Sequence, residues 1–121
     1  MQHTPSYPGD EALTDSLIVA SQQLSMQRAE MGRILGFKCA DFTALFEGDA
    51  LLQPGSQAWQ QAERFVALFR LLRQRMADDR ARMNHWLRRH HAALGNSPFY
   101  LMVDEGELET VLTYLQQGDG V

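Results

Sequence analysis

Three histidines stand close together in this chain: His85, His90 and His91. Imidazoles one helical turn apart, at i and i+4 and joined by a further ligand, are a common way to hold zinc. Here the separations from His85 are five and six residues, and no Cys or carboxylate lies close by in the sequence. They therefore read as surface or interface groups, and no metal is expected. The single Cys39 would stand near a helix N-terminus, where a thiol pKa falls, but it has no motif neighbour. Asp78-Asp79 is an acid pair whose simplest role is to cap the helix after it. The chain has no Gly-rich phosphate loop, no paired cysteines and no Ser, His and Asp set in a nucleophile pattern. The expectation is a protein that is not an enzyme and uses no cofactor.

Charge points to binding instead. The formal net charge is −4 over 121 residues, but it is unevenly placed. Residues 1–63 carry three basic and eight acidic groups, a balance of −5. Residues 64–89 carry eight arginines against Asp78 and Asp79, a balance of +6, and residues 90–121 carry five acids and no Lys or Arg. Ten of the eleven basic residues are Arg, whose planar fork suits carboxylate and phosphate better than Lys does. The whole chain repels polyanions, whereas the central band attracts them locally. Two destinations are open for that band: solvated helix faces paired with the acidic flanks, or an anionic partner.

These groups need a scaffold, and the apolar spacing predicts an all-α one with no period-2 strand. The length fits one compact domain or two small helical subdomains sharing a core. There is no apolar run long enough to span a membrane. Residues 1–9, with His3, Pro5, Tyr7 and Pro8, lack the features of a secretory signal and read as a flexible arm. A lone cysteine fits a reducing cytosol, so the expected location is cytoplasmic.

The first helix is expected over about Asp10 to Leu24, with Leu13, Leu17, Ala20 and Leu24 on one face. Ser25 is read as the N-cap of a second helix, Met26 to Leu35, ended by Gly36 at positive φ. A short third helix, Cys39 to Glu47, ends at Gly48. That outline, over residues 10–55, is a helix-turn-helix. After a Pro54-Gly55 break, Ser56 caps a long helix, Gln57 to Met76. Its apolar face, with Trp59, Phe65 and Phe69, is broad enough for burial on two sides, in a core or in a dimer. Asp78 or Asp79 opens a fifth helix to about His90, with Trp86 inward. Ser97 with Pro98 at the first helical position starts a short turn. Asp104 and Glu107 read as a capping box before the last helix, which runs to about Gln117.

The terminal third presents a Trp-Leu anchor, a Gly-Asn turn and an amphipathic helix, a surface suited to being held by another protein. Here the chain resembles a known family, the Xre/MbcA/ParS-type antitoxins that partner RES-domain toxins. The resemblance covers about residues 25–117. It rests on Arg28-Ala29-Glu30-Met31-Gly32-Arg33-Ile34-Leu35-Gly36, and on Leu51-Leu52-Gln53-Pro54-Gly55-Ser56 followed by Trp59, Ala62 and Phe69-Arg70-Leu71-Leu72. It rests also on Trp86-Leu87-Arg88, Ala93-Leu94-Gly95 and Ser97-Pro98.

The resemblance implies that residues 56–121 form a helical toxin-binding and dimerisation domain. It implies a homodimer whose C-terminal region covers the cleft of an NAD-degrading toxin, in a complex that represses its own operon. The toxin-facing residues would be His91, Ala93, Leu94, Gly95, Asn96 and Pro98, the acids Asp104, Glu105, Glu107 and Glu109, and Gly118 and Val121 in the tail. Operator DNA would meet Arg28, Arg33, Lys38 and Thr43. The sequence departs from the family where recognition-helix positions hold Lys38, Cys39, Asp41, Ala44 and Glu47, and Glu47 and Asp49 would repel phosphate. The alternative function is a helix-turn-helix transcriptional regulator acting without a toxin. A third is a scaffold or orphan dimer whose toxin is lost.

Overall fold

The structure, a computed structural model, describes residues 9–117, with side chains from Ala12 onward. Of the arm expected at residues 1–9, Gly9 instead opens the first helix, and residues 1–8 lie outside the described residues, as do the tail residues Gly118 and Val121. The described chain is all-helical, with seven helices: α1 (Gly9–Gln23), α2 (Arg28–Leu35), α3 (Cys39–Phe46), α4 (Gln57–Arg75), α5 (Arg80–Arg88), α6 (Pro98–Val103) and α7 (Leu108–Gln116).

Helix α4 forms the axis. Ala62, Phe65, Val66, Leu68, Phe69 and Leu72 are buried along it, and it packs against α1, α2, α5 and α7. One cluster joins Leu17 and Leu24 of α1, Met31 and Leu35 of α2, Phe42 of α3, Met83 and Leu87 of α5, and Leu108 and Leu115 of α7. The α4 apolar stripe is thus taken up inside the chain: Phe65 and Phe69 are buried and Trp59 is half-buried, while Trp86 is buried from α5.

Local chemistry explains most of the helix ends. The Ser56 hydroxyl accepts from the Trp59 amide at 3.1 Å and starts α4. Asp79 accepts from the Arg82 amide at 3.1 Å and starts α5. Ser97 accepts from the Tyr100 amide at 3.2 Å, with Pro98 at the first helical position of α6. Each satisfies an amide that no helical carbonyl can reach.

Three ends differ from expectation. Ser25 does not cap α2; it has a φ of 56° in the link after α1. Gln27 holds the cap position instead, its amide donating to Glu30 Oε1 at 2.8 Å. Asp104 and Glu107 do not form a capping box. Asp104 closes α6, and Glu107, the cap residue of α7, accepts from the Thr110 hydroxyl at 2.8 Å. Helix α5 stops at Arg88, before His90.

A row of polar side chains on α5 locks it to the end of α1. Arg80 donates to the Gln22 carbonyl at 2.9 Å, Asn84 to the Gln23 carbonyl at 2.9 Å, and Arg88 to the Ser25 carbonyl at 3.0 Å. Residues four apart lie on one helix face, so positions 80, 84 and 88 reach successive acceptors. The last carbonyls of a helix lack internal partners and carry partial negative charge, which suits guanidinium donors.

The turn from α2 to α3 is tight. The amides of Gly36 and Phe37 both donate to the Gly32 carbonyl, at 2.9 and 2.8 Å, and Gly36 has a φ of 83°. A Cβ on Gly32 would stand 2.8 Å from the Phe37 carbonyl oxygen, which is backbone and cannot swing away. Gly32→Ala is therefore expected to destabilise the fold by about 2 kcal/mol through forced backbone displacement. Chemical denaturation checks this, and an unchanged midpoint would contradict the close approach.

Candidate functional site

The surface after α5 is built around a short closed turn. The His91 amide donates to the Asn96 carbonyl at 3.2 Å, the one isolated antiparallel bridge among the described residues. Within it, the Leu94 and Gly95 amides both donate to the His91 carbonyl, at 3.0 and 2.9 Å. Gly95 has a φ of 80°, which a side chain would oppose. Asn96 then uses its side-chain oxygen to accept from the Ser97 amide at 2.8 Å. The turn is thereby joined directly to the cap of α6.

Three rings fix this turn to the core. His91 Nε2 lies 3.0 Å from the Trp86 carbonyl oxygen. A carbonyl can only accept, so Nε2 carries the proton. The His91 ring lies 4.9 Å from Trp86 and 5.8 Å from Tyr114, and Trp86 stacks on Tyr114 at 6.4 Å. Helix α5, the turn and α7 thus share one aromatic contact. His91, at 4 % exposure, is a supporting group rather than a contact residue. His85 and His90 are exposed, and among the described residues no three His, Cys, Asp or Glu groups are placed to hold a metal ion.

Of the other residues expected to face a toxin, Ala93 and Gly95 are exposed, Leu94 and Asn96 are half-buried, and Pro98 is buried. Leu94 meets Glu109, Thr110, Thr113, Tyr114 and Gln117 across an open cleft of about 460 Å³. The turn and the last helix therefore form one continuous face. Thr110, Thr113 and Gln117 were not singled out from the sequence, although their spacing of three and four marks the outer stripe of α7.

The acids have unequal roles. Asp104 lies 2.6 Å from Arg33, tying the end of α6 to α2. Glu109 lies 3.8 Å from Arg64 and is itself largely exposed. Glu105 bonds the Tyr100 hydroxyl and pushes its pKa up. Glu105 and Glu107 are exposed.

The residues expected to meet DNA are mostly engaged within the chain. Arg28 donates to the Thr43 hydroxyl at 3.3 Å, lies 4.0 Å from Glu47 and covers the Phe46 ring at 4.5 Å. Arg33 is held by Asp104. Lys38 is exposed at the start of α3. Part of the arginine band is likewise engaged: Arg73 pairs with Asp78 at 3.2 Å, and Arg88 covers the Phe99 ring at 4.7 Å.

Burial lowers the His91 pKa from its ordinary 6.5, the Trp86 carbonyl opposes that shift, and Arg89 and His90 add to it. As pH falls, the unfolded ring takes up a proton before the folded ring does. The contribution of His91 to stability is complete above about pH 6.5 and is lost below it, as pH passes through the lower folded value. His91→Gln removes the titration. The denaturation midpoint of the wild type should fall relative to this variant as pH drops below about 6.5. Parallel midpoints across that range would contradict a buried neutral ring.

No family model matches the chain, and no curated protein matches it.

Proposed function

We propose that this protein is a non-catalytic antitoxin of the cytoplasm. It neutralises a RES-domain, NAD-degrading toxin by laying its C-terminal face across the toxin's cleft. The single observation that supports this most is the pre-ordered turn at 91–96, pinned by Trp86, His91 and Tyr114 beside the Leu94–α7 cleft. A surface ordered before binding loses little entropy on association, which suits tight stoichiometric inhibition. The exposed Glu109 lines that cleft and the exposed Glu107 bonds its wall residue Thr110, and both complement a toxin cleft built for a dinucleotide's phosphates. Asp104 is exposed and paired with Arg33.

The alternative of a DNA-reading regulator draws on the tight link between α2 and α3. It is weakened by the internal engagement of Arg28, Arg33 and Thr43. A DNA reader directs such groups to phosphates and base edges.

Co-expression with a RES-domain toxin encoded beside it tests the proposal. The pair should co-purify, and growth and the NAD pool should be restored. Leu94→Asp, at a half-buried surface position, should weaken the complex about 30-fold, as loss of a central apolar anchor does. Unchanged affinity for that variant, or no complex with the wild type, would contradict the assignment.

A further inference from the structure

We propose that the cleft between α3 and the connection at 50–58 docks a partner segment carrying one or two large apolar side chains flanked by lysine or arginine. The cleft is separate from the C-terminal face, and the inference does not rest on the antitoxin reading. It measures about 310 Å³, and its walls include Phe37, Ala44, Leu45, Leu51, Leu52 and Ala58. That volume is at the small end of ligand pockets, which run from about 300 to 1,000 Å³, so it suits an anchoring side chain. Leu51 lines it while 40 % exposed, an unusual position for a large aliphatic group among the described residues.

Charge selects the occupant. Asp41 lines the cleft. Asp49 is exposed immediately before the lining residue Ala50, whereas Glu47 at the end of α3 already faces Arg28. Lys38, at the start of α3, is the one cation within residues 37–58. With Glu47 answered by Arg28, Asp41 and Asp49 against Lys38 leave the rim acidic by one charge, and a cationic frame around the anchor complements it. The same balance repels a phosphate backbone. The helix that a DNA reader would present to the major groove here lines a seat for protein.

The probe is a random dodecamer peptide library displayed on phage, panned against the full chain. Recovered peptides should carry a large apolar residue within a Lys- or Arg-rich frame. They should shift the amides of Ala44, Leu45, Leu51 and Leu52 in proton–nitrogen correlation spectra. Leu51→Asp and, independently, Asp49→Lys should each weaken binding about tenfold or more. Thermal unfolding of both exposed-site variants checks that the fold is kept. The inference is overturned if no peptides are enriched, if the enriched ones are acidic or shift the Leu94 cleft instead, or if duplex DNA perturbs the α3 amides.

Discussion

Burial of one broad face of α4 is the constraint from which the rest of this molecule follows. Its exposed positions, Gln57, Gln60, Glu63, Arg70, Arg73 and Gln74, lie on the opposite face. The buried face packs against α1, α2, α5 and α7. Burying a Phe, Leu or Val side chain is worth about 1.5–3 kcal/mol, so the buried face of α4 contributes on the order of 10 kcal/mol. An exposed ion pair such as Arg73 with Asp78 contributes about 1 kcal/mol or less. The core therefore sets the topology, and the surface charges choose among arrangements the core already permits.

Polar contacts then set the orientation of the outer helices. Arg80, Asn84 and Arg88 hold α5 against the carbonyl end of α1, and Gln61 donates to the Ile34 carbonyl at 3.0 Å to hold α4 against α2. With α5 fixed, Trp86 is fixed, and with it His91 and Tyr114. The ordering of the surface turn is thus inherited from the core through one aromatic contact.

What could be read in the sequence follows from how local each signal is. Gly36, Gly48, Ser56 and the Ser97-Pro98 pair were legible because a positive φ or a cap is decided within four residues. The all-helical class was legible from apolar spacing alone. Ser25 and Asp104 were misread because long-range partners outweighed local preference: Ser25 lies in a link whose carbonyl takes Arg88, and Asp104 is held by Arg33, far away in sequence. The arginine band was visible as charge, but its acceptors on α1 are backbone carbonyls, which composition does not reveal. In the candidate site, the turn was legible from Gly95 and Pro98. The cleft was not, since it exists only where Leu94 meets the outer stripe of α7. The buried role of His91 was hidden for the same reason.

The central claim is that the turn and α7 act together as one ordered surface gripping a toxin. Hydrogen–deuterium exchange on the chain alone and in complex with a RES-domain toxin tests it most directly. The predicted result is the largest gain in protection at residues 91–98 and 108–117. Unchanged exchange at both segments in a formed complex would contradict it.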